Sequence, residues 1–438
     1  MPREQKTVAE INEKLRSGEA VVMTAMDFKR EVRAGRRFTV DDVDVVTTGT
    51  RGVMSGTSAM LALPLDVKTA DIRRLVMNGV PCIPVSRPDD GEGLVDAVLY
   101  GTAESLDYFG RYGGGHVLRE LVEGKDVEVE CLLRGGGSRL TKVRLSQMPF
   151  ARLYNFRNDF QNYTAFGNFK NMPSYLKRPT SIFSCRPLPQ FRGMGAIGSG
   201  ELNPLQNDPK RITVREGTGI VVNGVPGVVV SYGTRSAPAK PCLFVASDMH
   251  GMQPEFMGGF KTSFGVEVIT SIGIPFAITS QDVLDGLAGC LDDSVPMPVA
   301  DIGDRIPLFY SNYGEIWDGA RLRVEFDPER CICCSFQCAA EYYCPMGAIS
   351  WKDKTLDQDL CFACGACTGN CPGGAFKGMD DVPRGRIGQV RVAGHDVPVI
   401  FRQSNRYRSE LMATYLRDLL VKGGFLLTDS QTLLKHRD

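Results

Sequence analysis

Nine of the 14 cysteines of this chain lie between residues 331 and 371, and their spacing constrains the fold more than any other feature. The second half of this stretch has the spacing C-x-x-C-x-x-C-x-x-x-C-P, with cysteines at Cys361, Cys364, Cys367 and Cys371. Three thiolates spaced in this way can bind one [4Fe-4S] cluster while the fourth reaches a neighbouring cluster. The spacing therefore requires a partner run of cysteines.

A partner run precedes it, with cysteines at Cys331, Cys334, Cys338 and Cys344. It has one extra residue before its third cysteine, and it ends in the same Cys-Pro pair as the second run. Crossed ligation between the two runs predicts two [4Fe-4S] clusters. The first would be bound by Cys331, Cys334, Cys338 and Cys371, and the second by Cys344, Cys361, Cys364 and Cys367.

Cys333 lies inside the first run and has no assigned role. Because that run carries an extra residue, Cys333 can compete with its neighbours as a ligand. Paired zinc ribbons are the alternative, since C-x-x-C pairs recur in them as well. The repeated Cys-Pro endings favour iron–sulfur clusters over zinc.

Composition argues against several broad classes of protein. With 51 basic and 51 acidic residues, no broad surface for nucleic acid or for anionic membranes is expected. The sequence shows neither an apolar leader nor a run of about 18 apolar residues, so neither export nor a membrane span is expected. Thiolate ligands and five scattered cysteines suit a reducing compartment, which predicts a cytoplasmic protein.

Local patterns divide the chain into three parts. A capping box at Thr7 and Glu10 begins a helix, and the apolar runs that follow predict an αβαβ opening, typical of an α/β sheet. After the cysteines, Ser404 can cap a helix whose wide apolar stripe, including Met412 and Leu416, must pack on a large domain. We therefore predict a mixed α/β large domain (residues 1–320), an inserted two-[4Fe-4S] ferredoxin module of bacterial type (321–382) and a C-terminal segment (383–438) whose helix returns to the large domain.

Three glycine-containing stretches predict loops that open onto a helix: Thr47–Thr50, Tyr112–His116 and Gly258–Phe260. Such loops present backbone N–H groups to anions. Turns without a bound ligand are the alternative for each of them.

Two of these stretches occur, with others, in the order found in a known family. The stretches are Ile11–Ala20, Thr47–Thr50, Tyr112–His116, Asn155–Asn158 with Gln161–Tyr163, Asn203–Pro209 and Arg402–Ser404. The chain resembles the archaeal homocysteine-biosynthesis family of reductive sulfurtransferases, which make a thiol from an aldehyde. Within that family it is most similar to the ferredoxin-containing methanogenesis marker 16 branch, which is associated with coenzyme M synthesis.

The resemblance implies addition of sulfide to an aldehyde, loss of water, and reduction by two electrons and two protons. Our main interpretation is conversion of sulfoacetaldehyde to 2-mercaptoethanesulfonate, and the alternative is conversion of aspartate semialdehyde to homocysteine. A low-potential electron donor would supply the two electrons, and two [4Fe-4S] clusters would hold them. An iron–sulfur electron carrier or assembly factor of methanogenesis is the alternative of another class. A homo-oligomer is compatible with each interpretation.

A sulfonate substrate needs cationic partners in a forked geometry, which arginine provides. The candidates are Arg51 in the Gly-Thr stretch, Arg157 in Asn-Phe-Arg-Asn and Arg235 in Gly-Thr-Arg. Ordinary ion pairing is the alternative for each.

A sulfur-carrying cysteine must be accessible and have a lowered pKa. The resemblance to the homocysteine branch predicts a cysteine after Met54, but this chain has Ser55 there. The remaining candidates are Cys82, in an expected loop, Cys185, beside a basic residue, and Cys242, with buried inert thiols as the alternative. Direct attack by sulfide would need none of them.

Protonation of the departing oxygen suits a histidine, because its ordinary pKa is near neutrality. His116 is the first candidate, with a helix-capping role as its alternative. His250, close to Asp248, is the second candidate.

Overall fold

The computed structural model describes residues 5–85, 93–161, 164–170, 180–317, 323–377 and 388–428. Its α-helices are α1 (Val8–Ser17), α2 (Ala25–Arg33), α3 (Gly114–Val122), α4 (Gln281–Gly289), α5 (Tyr313–Trp317), α6 (Ala339–Tyr343), α7 (Ala366–Asn370) and α8 (Arg406–Val421). The first twelve strands are β1 (Val22–Thr24), β2 (Val45–Val53), β3 (Thr57–Pro64), β4 (Ile72–Met77), β5 (Val80–Val85), β6 (Leu94–Tyr100), β7 (Val127–Leu133), β8 (Ser138–Val143), β9 (Ala151–Asn158), β10 (Thr164–Gly167), β11 (Met194–Ile197) and β12 (Gly219–Val222). The others are β13 (Val225–Tyr232), β14 (Leu243–Asp248), β15 (Gly258–Lys261), β16 (Val266–Ala277), β17 (Pro296–Asp301), β18 (Pro307–Asn312), β19 (Glu325–Phe326), β20 (Ile349–Ser350), β21 (Thr355–Leu356), β22 (Phe376–Lys377), β23 (Gln389–Val392) and β24 (His395–Arg402).

The αβαβ opening is present, with adjusted boundaries. The Thr7 side chain accepts from the Glu10 N–H, and Gly18 ends α1 with φ of 77°. The strands β1 and β2 then pair in parallel around α2. The predicted mixed α/β class is confirmed.

Antiparallel pairing dominates the rest of the large sheet, whose order is β1-β2-β16-β12-β13-β14-β9-β3-β6-β5-β4-β7-β8 with β15 added to β16. Two-residue turns explain part of this preference. Asn78 and Gly79 join β4 to β5, and Asn223 and Gly224 join β12 to β13, all four with positive φ. Such Asn-Gly turns match the twist of an antiparallel hairpin.

The C-terminal segment joins the rest of the protein in two ways. Its strands β23 and β24 extend a six-stranded sheet of order β18-β17-β10-β11-β24-β23. Its helix α8 packs on β2 and β16, with Met412 and Leu416 fully buried. A Cβ on Gly49 would lie 2.4 Å from the Ser409 carbonyl oxygen, so glycine permits this close packing. The N-cap of α8 is Asn405, one residue after the predicted Ser404.

Residues 323–377 form what we call the cysteine-rich segment. Its first and last strands, β19 and β22, pair with each other, so the two ends of the segment are adjacent. Two five-residue helices, α6 and α7, contact each other, and β20 pairs with β21. The inner side shares a hydrophobic core with Phe260, Ile269 and Phe401. The predicted boundaries at 320/321 and 382/383 lie outside the described residues.

Two of the three predicted glycine loops are wrong. Thr47–Thr50 lies within β2, and Gly258–Phe260 lies within β15, because these glycines serve close packing between elements. Only Tyr112–His116 leads into a helix, α3. None of the described helices has both the length and the apolar character needed to cross a membrane.

Candidate functional site

The eight predicted cluster ligands form two sets in space. One cavity is lined by four thiols, together with Trp351 and Lys354; these thiols belong to Cys331, Cys334, Cys338 and Cys371. We call these four residues the outer thiols. Cys333 lies beside them but is exposed, and its backbone has a φ of 50°.

The remaining four residues, which we call the inner thiols, are Cys344, Cys361, Cys364 and Cys367. Burial, followed by the neighbouring Cys185, Cys344 and Cys367, raises the pKa of Cys364 well above its ordinary value. Burial, followed by Cys344 and Cys361, does the same for the pKa of Cys367. Mutual electrostatic effects of this kind require the inner thiols to be close together. Among the described residues, no group of three or more histidine, cysteine or carboxylate side chains is arranged to hold a single metal ion.

Backbone N–H groups point at sulfur in equivalent places of the two Cys-Pro repeats. Ala348 donates to Cys344 Sγ at 3.3 Å, and Ala375 donates to Cys371 Sγ at 3.3 Å. Ala363 donates to Cys361 Sγ at 3.4 Å. Such donors favour the thiolate form and raise the potential of a bound cluster.

A group of polar side chains surrounds the turn after β2, on the sheet face that carries the cysteine-rich segment. Ser55 hydrogen-bonds the Glu267 side chain, and Arg157 acts electrostatically on the same carboxyl group. The turn residue Gly56 has a φ of +88°, and a Cβ there would lie 2.6 Å from Arg157 Nε. Glycine therefore lets Arg157 lie directly against the Ser55 turn.

The other two predicted arginines lie in contrasting places. Arg51 is fully buried, and its Nε and Nη2 have no hydrogen-bond partner among the described residues. Its guanidinium lies 5.8 Å from the centroid of the Phe362 ring. Along the chain, Phe362 lies between the inner thiols Cys361 and Cys364. Arg235 is exposed on the β13–β14 connection, and the preceding residue, Thr234, donates its N–H to the carbonyl of Phe156 beside Arg157. Arg157 is therefore the predicted arginine that the fold brings to Ser55.

His116 occupies a capping position. The Gly113 N–H donates to His116 Nδ1 at 3.2 Å, and the ring packs closely on Gly259. Burial, followed by the charge of Lys261, lowers the pKa of His116 to about 4. The ring is therefore neutral near pH 7, which favours the capping alternative over proton donation. His250 is also occupied at both ring nitrogens, by Asp248 at 2.6 Å and by the Met148 carbonyl at 3.0 Å.

All three candidate sulfur carriers lie within a strand or a hydrophobic core. Cys82 is in β5 rather than in the predicted loop, because the Asn78-Gly79 turn ends before it, and burial raises its pKa to about 12. Cys242 is fully buried, and burial raises its pKa to about 11. Cys185 is half-buried and lies in the core that holds the inner thiols. It is the candidate thiol nearest to them.

Glu267 is not among the site residues predicted from the sequence. A signal was present, because this carboxylate interrupts the otherwise apolar start of β16. Charged residues in buried strands need partners or a function.

Comparison with known proteins places the chain in a family. It matches the family described as homocysteine biosynthesis enzyme, sulfur-incorporation, over residues 20–427. An uncharacterized protein of Methanothermobacter thermautotrophicus is 38% identical over 427 residues, which are 96% of this chain and 94% of that protein. An L-aspartate semialdehyde sulfurtransferase of Methanocaldococcus jannaschii is 31% identical over 344 residues, which are 74% of this chain and 64% of that enzyme.

A second L-aspartate semialdehyde sulfurtransferase, from Methanosarcina acetivorans, is 29% identical over 330 residues, which are 72% of this chain and 63% of that enzyme. No solved structure matches. Because the family match extends over residues 20–427 and so includes both sheets, the chain belongs to the homocysteine biosynthesis family of sulfur-incorporating enzymes.

Proposed function

We propose that this chain incorporates sulfur into aspartate semialdehyde to form homocysteine. The observation that carries the proposal is the family match over residues 20–427, together with two relatives named L-aspartate semialdehyde sulfurtransferase. This reverses the order expected from the sequence, which placed sulfoacetaldehyde first.

Sulfoacetaldehyde is the second candidate, because one position departs from the homocysteine branch. Ser55 stands where that branch is expected to carry cysteine. It hydrogen-bonds Glu267, and its turn lies against Arg157 of β9. Both aldehydes carry an acidic group and a carbonyl group, so Arg157 would bind the acid of either substrate. The same site can therefore be tested with both.

We further propose that two [4Fe-4S] clusters supply the electrons. Two observations support the proposal: the outer thiols line one cavity, and the inner thiols act electrostatically on one another in a separate buried environment. The backbone donors to Cys344, Cys361 and Cys371 suit thiolate ligands. When bound, such clusters transfer single electrons at potentials as low as about −700 mV.

Residues of this chain would then bind the substrate and exclude water. Arg157 would orient the substrate acid beside Ser55 and Glu267. The core around Phe260 would exclude water from the face toward the inner thiols, because Phe260 is fully buried there. A low-potential electron donor outside this chain would supply the electrons.

The test is an anaerobic assay of the reconstituted protein with sulfide, a strong reductant and either aldehyde. Thiol products would be trapped as bimane derivatives and identified by mass spectrometry. Homocysteine from aspartate semialdehyde supports the main proposal, whereas 2-mercaptoethanesulfonate as the faster product would replace it with the second. Thiol from neither aldehyde would overturn both and favour an electron carrier.

A further inference from the structure

Once sulfur has added to the carbonyl carbon, the original aldehyde oxygen must leave as water, and this departure needs a proton donor. We propose that Glu267 is that donor. The inference rests on the proposed function but does not depend on which of the two aldehydes is the substrate.

Strand register directs Glu267 toward the cysteine-rich segment. Glu267 lies opposite Phe260 in the antiparallel β15–β16 pair, and it is two residues from Ile269. Cross-strand partners and residues two apart share one face of a sheet. Phe260 and Ile269 belong to the core that contains Cys344 and the other buried inner thiols. The carboxyl group is therefore on the face nearest the proposed electron source.

The carboxyl group has an oxygen available for a ligand. Glu267 is only 6% exposed, and its Oε2 has no hydrogen-bond partner among the described residues. Buried polar atoms are normally paired, so an unpaired oxygen in this position fits a site completed by substrate. Burial raises the pKa of Glu267, and the Ser55 hydrogen bond and the Arg157 charge offset only part of that effect. The acid thus keeps its proton to a higher pH than an exposed glutamate does.

Other titratable groups lie on neighbouring elements. Arg157 approaches from β9, and Lys261 on β15 interacts electrostatically with Cys344 of the cysteine-rich segment. His116 belongs to α3, which packs on the opposite face, where a Cβ on Gly115 would meet the Val268 side chain. The histidine is thus separated from the Glu267 carboxyl by the sheet itself.

The proposed step balances without a redox partner. Sulfide and aldehyde give R–CH(OH)–SH. Breaking the C–O bond takes the Glu267 proton and releases water, and the sulfur-bound proton then returns to the carboxylate, leaving R–CH=S. Reduction of R–CH=S to R–CH₂–SH by two electrons and two protons is a separate step that uses the donor named in the proposed function.

The test compares the pH profile of kcat for the holoenzyme and its Glu267→Gln variant. Wild-type kcat should fall as pH rises through the raised pKa of Glu267, because the acid form is required. The variant should lose about 100-fold in kcat at low pH and should lose this alkaline limb, with unchanged cluster absorbance. Glu267→Asp should restore part of the rate together with the limb.

The matched control is Glu410→Gln on α8. Glu410 is half-buried, and burial also raises its pKa, but it pairs with Arg406 instead of lying beside Ser55. The control variant should keep the wild-type rate and profile. A Glu267→Gln variant with the wild-type rate, or with the limb preserved, would overturn the inference.

If wild-type protein makes no thiol, infrared spectroscopy tests the residue separately from the proposed function. The protonated-carboxyl band that disappears in Glu267→Gln should shift when sulfide and either aldehyde are added without reductant. A band that does not move would overturn the role of Glu267.

Discussion

The outer and inner thiols come from one internal repeat but occupy different surroundings. Beside the outer thiols, Ile332 is 61% exposed and Phe336 is 100% exposed. Three of the four inner thiols (Cys344, Cys364 and Cys367) are at most 8% exposed and share a core with the large sheet, whereas of the outer thiols only Cys371 is buried to that extent. Equal ligand spacing therefore does not imply equal roles. On the proposed function, the outer thiols would hold the cluster that accepts electrons from the donor, the entry cluster, and the inner thiols would hold the cluster on the side of the large sheet, the exit cluster.

The largest effect is expected when one thiol is removed from each set. Cys364→Ala should lower turnover with titanium(III) citrate by about 100-fold or more, because it removes the exit cluster. Cys334→Ala should stay within about threefold under the same conditions, since a small reductant can bypass the outer set. Iron should fall from about eight toward about four per chain in both variants. Equal losses of turnover would contradict the assignment of entry and exit.

A smaller effect is expected at Arg51. Burial, followed by Arg408 and Arg119, lowers its pKa well below the ordinary value, but arginine starts so high that it stays cationic near neutrality. A buried positive charge stabilises the reduced, more negative state of a nearby cluster. Arg51→Met should therefore shift the potential of the inner cluster to a more negative value. A redox titration monitored by electron paramagnetic resonance measures this, and an unchanged potential would contradict it.

A weaker and salt-dependent shift is expected at Lys354. Its Nζ lies 4.0 Å from Cys331 Sγ and 4.9 Å from the centroid of the Trp351 ring, and the residue is partly exposed, unlike the fully buried Arg51. Solvent and salt screen charges in such positions. Lys354→Met should lower the outer potential slightly at low ionic strength and hardly at all in high salt. A shift as large as that of Arg51→Met would erase the contrast between the two sets.

No change in iron content is expected at Cys333. Its thiol is exposed, and its backbone is in the left-handed region, with a φ of 50°. Cys333→Ser should retain both clusters and should lose the thiol that is alkylated most readily in the holoprotein, as peptide mapping would show. Loss of one cluster would instead make Cys333 a ligand in place of a neighbouring cysteine.

Local signals in the sequence predicted some elements closely. The capping box of α1 forms as expected, and the C-terminal helix begins within one residue of its predicted cap. These elements depend on neighbouring residues, whose side chains cap or alternate within a few positions. Glycine was harder to interpret, because Gly49 permits α8 to pack closely on β2 rather than forming a loop. Packing of that kind depends on a distant partner.

The sequence by itself determined the family resemblance, and it predicted the division of eight cysteines into two ligand sets, because ligand spacing is a local property of the chain. Only the tertiary structure decided which set faces the large sheet and which faces outward. It also brought Glu267 of β16 to Ser55 at the end of β2, and it gave His116 a buried capping position. The register of antiparallel strands and the burial of their faces control these contacts, and both arise only when distant segments pack together.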